Sequence, residues 1–429
     1  MRKCAAGFSC IRDPRLPETQ AIGQDERRAD VYRVQRICLQ LTPIMKRIAL
    51  LAASLSTLAS ALLAQQPSSE GPYKVLKTAR VGGEGGTDYI YANSIDGRLY
   101  ITRNGVRAVP ATDSTPAREA IPGRVTVFDL KTLAPVGEIP NAGGGAGTGG
   151  GNGAVVDAKS AHGFASSHPD VSMFDTKSMQ MIKTIDPNAD NPSATPKFSS
   201  DGIYFDPSDS RVYIGSHPTK DLLVIDSRDG KVLGKIDLGG VPEQTISDGK
   251  GTLYAMLQDS AGSVAVVDQK TMKTTAHYPL GDIGRCNGLA LDVKNGILFA
   301  ACAAGRTAGQ TPQPVMVIMS SKDGKILTTL PLAGNSDGAA FNPQTMEAFS
   351  SQGNGTLTVV KEKSPTSFEV EQNLQTMNGA RTLALDQTTG HIFVMSVERG
   401  PAPPPPPSGG RGGQGAPIPG SFTILMIGK

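Results

Sequence analysis

Three short segments of this sequence carry the same pair of residues at their start. SDGIYFDP begins at Ser200, CNGLALDV at Cys286 and SDGAAFNP at Ser336, and each sets an acid or an amide directly before a glycine and an apolar run. Oxygens brought to one point from Asp201, Asn287 and Asp337 would make a hard-donor site of the kind that suits Ca²⁺ or another divalent cation. Such an ion would act as a Lewis acid, with Asp337 or Glu84 as the base. The same pair also has a purely structural use. Asp-Gly and Asn-Gly open turns, where glycine supplies backbone freedom just ahead of a strand. The two readings separate on convergence: oxygens within about 5 Å of a common point favour the ion.

A repeat is what would bring them together. One apolar strand recurs seven times, as RVTVFDLKT, DVSMFDTKS, LLVIDSRDG, SVAVVDQKT, VMVIMSSKDG, LTVVKEKS and FTILMIGK. Asp129, Asp175, Asp226 and Asp268 end the first four copies, Ser320 and Lys361 the next two, at spacings of 41 to 52 residues. Two more strand signals separated by a turn precede each copy, as in GLALDVKNGILFAA, and a fourth follows, as in GKVLGKIDLGG. Four antiparallel strands in a unit of this length make a propeller blade, and blades must pack on one another around an axis. The last copy, SFTILMIGK, runs out of chain before a fourth strand, while YKVLKTARVGGEGG at 73–86 has that strand's pattern. The expected fold is therefore all-β, a seven-bladed β-propeller whose N-terminal strand completes the last blade and removes the open edges.

In such a ring the first strands line the central channel. Asp201, Asn287 and Asp337 then open blades three, five and six, and the corresponding positions are near Glu84 in blade one, Glu243 or Gln244 in blade four and Arg381 in blade seven. RVYIGSHPTKDLLVIDSRDGKVLGKIDLGG resembles the repeat of the YVTN-repeat, or YncE-like, bacterial β-propellers, and the likeness covers about residues 73–429. It implies the seven-bladed fold, export, and a binding or surface role. At the channel mouth the chain is also similar to gluconolactonase-like propellers, six-bladed proteins that hold a divalent cation. That likeness implies Glu84, Asn287 and Asp337 as metal ligands and, as the alternative to a binding role, metal-dependent hydrolysis of a lactone or ester at the channel mouth; a second Asn ligand is not found. With no Trp in the chain, WD-repeat and quinone-dependent propellers are disfavoured.

The insertions are unevenly placed. Residues 104–123, 305–314 and 400–420 join second to third strands, and 141–153 and 187–197 precede first strands, so antiparallel topology sends all five to one face. The opposite turns, such as SRDG and SKDG, stay short. Loops on a rigid scaffold are where recognition is built, so this face is expected to bind an unidentified protein or small molecule. The Pro-rich run at 401–407 has extended polyproline character.

Export is read from the N-terminal region. MKRIALLAASLSTLASALLAQQ, from Met45, has the basic, apolar and small-residue parts of a signal peptide, ending at Ala64 or Ala61. Residues 1–44 read as an extension upstream of the true initiator, 65–72 as a linker, and 73–429 as the propeller, periplasmic or secreted. Without 1–64 the formal charge moves from +3 to −2, which removes the electrostatic case for nucleic acid. No membrane span is expected after processing, and the protein is expected to be a monomer. Cys286 and Cys302 flank the blade-five hairpin, whose turn centres near Lys294 and sets them opposite each other. They form a cross-strand disulfide or remain two buried thiols. The five histidines lack metal-ligand spacing and read as turn residues.

Overall fold

Near-continuous apolar runs rich in β-branched and aromatic side chains make strands that bury both faces, and such strands need neighbours on either side. The computed structural model describes residues 70–111, 116–144, 151–281, 283–303, 313–402 and 415–429. The proposed extension 1–44, the signal segment 45–64 and most of the linker lie outside the described residues, as do parts of the 104–123, 141–153, 305–314 and 400–420 loops.

The chain forms seven four-stranded antiparallel sheets, and in six of them the strands follow chain order from the inside outwards. The first strands of blades three, five and six are Ser200–Asp206, Cys286–Asp292 and Ser336–Asn342. In blade seven the order is Leu383–Leu385, Ile392–Ser396, Thr423–Gly428 and then Lys74–Arg80, so the N-terminal strand is the outermost member of the last blade. The ring closes as the sequence led us to expect.

The core is divided among the seams. Each of seven apolar clusters spans two adjacent blades, for example Tyr254 and Met256 of blade four with Leu298 and Val317 of blade five. Second and third strands are buried almost end to end, whereas outer strands such as Val232–Asp237 are half exposed. Cys286 stands opposite Cys302 in the blade-five ladder, and the structure joins their sulfurs in a disulfide.

Long links gather at one end of the barrel of blades. The blade-one excursion after Arg103 is held by the Val106–Ile121 and Val109–Arg118 bridges. Links of both classes bond to one another there, through Gly123 N to Gly144 O and Arg285 N to Asp259 O. At the opposite end the turns are short.

Candidate functional site

Each first strand runs into a short turn through an acid or amide: Asn93, Asp157, Asp206, Asp248, Asp292, Asn342 and Asp386. In all seven the side-chain Oδ1 accepts the backbone N–H two residues on, which locks the turn. Five residues before these anchors stand Asp88, Asn152, Asp201, Glu243, Asn287, Asp337 and Arg381. The constant spacing sets one polar side chain per blade at the same mouth of the channel, on the face of the long links.

Hydrogen bonds tie these seven positions into two groups. Asn152 Nδ2 donates to Asp201 Oδ1 at 2.6 Å, and Asp201 Oδ2 pairs with His217 Nε2 at 2.7 Å. His217 Nε2 also lies 3.4 Å from Glu243 Oε1, to which Gln258 donates. On the other side Asn287 Nδ2 donates to Asp337 Oδ1 at 2.6 Å. Arg381 spans the gap between blades, 2.8 Å from Asp337 and 3.2 Å from Asp88.

Four carboxylates face one axis, and two of them, Asp88 and Glu243, hold their protons more tightly than free acids do. Burial, together with the charges of Asp337, Asp201 and Glu243, pushes Asp88 up to about 7 against the pull of Arg381. Burial raises Glu243 as well, opposed by His217. For His217 burial disfavours the charge, but Asp201 and Glu243 overcome it and hold the imidazolium up to about 10.

Two side chains cross the channel just behind the ring. Tyr89 of blade one reaches blade four, where its hydroxyl donates to Glu243 Oε2 at 2.9 Å. Gln244 of blade four reaches blades five and six: its Oε1 accepts from Leu289 N and Ala339 N, and its Nε2 donates to Ala339 O at 2.8 Å. Behind this crossbar the channel opens to the opposite face as a cavity of about 1040 Å³, walled by Tyr91, Ile203, Tyr204, Ile246 and Phe341.

This crowding explains the repeated glycine in two of the four blades that carry it. Gly153, Gly202, Gly288 and Gly338 follow the ring residue in their blades, and none has a positive φ. Backbone freedom is therefore not what they supply, contrary to the turn-opening reading. A Cβ at Gly288 would meet the backbone of Gly338 and Ala339 at 2.7 and 2.8 Å, and one at Gly153 would meet Tyr89 at 3.2 Å. Convergence of the first strands around the axis thus excludes a side chain at Gly153 and Gly288, whereas at Gly202 and Gly338 the nearest atoms are 3.5 Å away, an ordinary contact.

The expected site residues are distributed as follows. Asp201, Glu243, Asn287, Asp337 and Arg381 all belong to the ring. Glu84 has other partners: its carboxylate pairs with Arg118 at 3.1 Å and its carbonyl accepts from Arg124. Asp88, four residues on, holds the blade-one position, because the register counts from Asn93. Asp88 and Asn152 were missed in the sequence, and His217 was read there as a turn residue. Counting five residues back from each turn anchor would have found Asp88 and Asn152, whereas nothing local marks His217 as inward-facing.

The donor set does not fit the Ca²⁺ suggested by the sequence. Asn287 turns its N–H group, not its oxygen, toward Asp337, and a guanidinium already spans Asp337 and Asp88. Among the described residues no group of three or more His, Cys, Asp or Glu side chains is arranged to hold a metal ion.

No protein-family model matches the sequence, and no curated protein matches it. Solved structures are similar in fold. A chain of Kuenenia stuttgartiensis hydrazine synthase is 15% identical with a TM-score of 0.55, over 78% of this chain and 95% of that one. The Pan2 WD40 domain of Neurospora crassa is 12% identical with a TM-score of 0.57, over 85% and 97%. The WD40 repeats of RRP9 are 8% identical with a TM-score of 0.59, over 84% and 99%. The fold is a β-propeller. At these identities the likeness speaks for the propeller architecture alone, and it reaches WD40 propellers although this chain has no Trp.

Proposed function

We propose that this propeller is a binding module that engages a protein or small-molecule ligand through its insertion-rich face, centred on the channel-mouth ring. One observation carries the reading: all seven blades aim a polar side chain at the mouth around which the long links gather, while the opposite turns stay short. A rigid ring surrounded by loops is how scaffolds present recognition surfaces. The ring holds four carboxylates against Arg381 and His217, so its excess charge favours a cationic group on the ligand. Export and kinship with the YVTN-repeat proteins belong to the same proposal, supported by the signal-like segment 45–64 and the repeat at 211–240. Among the described residues no helix is long and apolar enough to cross a membrane.

The test places a photo-crosslinking residue at Val109, 40% exposed in the blade-one excursion, or at Ile95, 80% exposed in an opposite-face turn. Specific adducts from the producing organism's extract should form from Val109 and not from Ile95. Adducts confined to Ile95 would assign binding to the bare face and overturn the proposal.

A further inference from the structure

Two seams are latched near the short-turn face by the same hydrogen bond, in which the residue just after a blade's third strand donates to the carboxylate ending the first strand of the preceding blade. Between blades two and three, Ser227 Oγ donates to Asp157 Oδ2 at 2.7 Å. Between three and four, Gln269 Nε2 donates to Asp206 Oδ2 at 2.7 Å. Between five and six the corresponding residues are Glu362, which follows Lys361, and Asp292. The donor has become a second acid.

Both side chains are enclosed, with Glu362 2% and Asp292 1% exposed. Glu362 Oε1 accepts from Asn295 Nδ2 at 2.7 Å, and Asp292 Oδ1 accepts from Lys294 N at 2.9 Å. The remaining oxygens, Glu362 Oε2 and Asp292 Oδ2, are buried with no donor to meet them. Asp292 Oδ2 is the oxygen whose counterparts, in Asp157 and Asp206, receive the latch. Two buried carboxylates can make that bond only if one of them keeps a proton.

We propose that Glu362 keeps a proton and donates it to Asp292, latching blade five to blade six and making this seam a pH-sensitive joint in the ring. The proton is taken from solvent and returned to it. The surrounding charges agree with that role. Burial, then the charge and hydrogen bond of Asp292, push Glu362 up to about 7, while Asn295 and Lys294 work in the opposite direction. Of the lysines flanking it on its own strand, Lys361 turns to Glu347 at 3.5 Å and Lys363 to Glu369 at 2.6 Å. A free glutamate titrates near 4.3. The folded chain therefore holds a proton that the unfolded chain releases, and the latch's contribution falls as pH rises from about 4.3 through about 7.

Thermal melts of the full chain and of Glu362→Gln at pH 5 and pH 8 test this. Glutamine supplies a permanent donor, as Gln269 does in the neighbouring seam. The variant should match the parent at pH 5 and melt about 2–4 °C higher at pH 8. The reverse exchange, Gln269→Glu, should place a second acid pair against Asp206 and cost stability at pH 8 but not at pH 5. A difference between parent and Glu362→Gln that is the same at both pH values would overturn the proposal. So would a Gln269→Glu variant whose loss is independent of pH, a result that stands even if Glu362→Gln does not fold.

Discussion

A methyl group on Gly288 would sit 2.7 Å from the Gly338 carbonyl carbon and 2.8 Å from the Ala339 nitrogen, both backbone atoms that cannot step aside alone. At Gly202 the nearest atom to such a methyl is 3.5 Å away, an ordinary contact. Gly288→Ala should therefore cost about 1–3 kcal/mol by overpacking, and Gly202→Ala should stay within about 0.5 kcal/mol. Denaturant unfolding of the two variants checks the contrast, and equal losses would count against the crowding explanation. At the same scale, His217 is held up to about 10 by Asp201 and Glu243, above its free value near 6.5. Its contribution is complete below about 6.5 and is lost as pH rises through about 10. Substituting His217→Gln should flatten the parent's decline between pH 7 and pH 10 in thermal melts, and an unchanged slope would show that the ion pairs add nothing.

The strand Lys74–Arg80 is mostly exposed yet closes the ring. It is preceded by Tyr73, 2% exposed, whose ring meets Phe349 edge-on at 5.3 Å and whose hydroxyl donates to Glu347. It is followed by a turn held by the buried Arg103, which donates to the carbonyls of Gly82, Gly83 and Gly85 and lies 3.8 Å over Phe422. Residues 73–86 thus clasp blades six, seven and one together. Removing 73–80 empties the Tyr73 site, a loss of about 3–5 kcal/mol by itself. It also bares the fully buried strand Thr423–Gly428 as an open edge, a template for pairing with another chain. The truncated protein should melt lower and elute as dimers or larger species in size-exclusion chromatography. A truncated chain that is monomeric and as stable as the parent would mean that closure resides elsewhere. This element was legible from its sequence because it supplies the strand that SFTILMIGK lacks. The clasp was not, since carbonyl partners leave no pattern around Arg103.

Across the whole molecule, legibility follows periodicity. Strands with period two, turn anchors at a fixed offset and a unit of 41 to 52 residues are local, repeated signals. They determine the blades, their number, the closing strand and the end of the barrel that takes the long links. They even contain the ring, since five residues back from each anchor gives all seven positions, though Glu84 is a false match where Asp88 is the true one. Tertiary structure decided the rest, because it depends on what one blade turns toward another. It put His217 between Asp201 and Glu243, set Arg381 against Asp337 and Asp88, and ran Tyr89 and Gln244 across the axis. It made Gly153 and Gly288 a matter of space instead of backbone freedom, and it brought Glu362 against Asp292 from 70 residues away in the chain. A repeat announces its own geometry, whereas contacts between repeats arise only once the ring has closed.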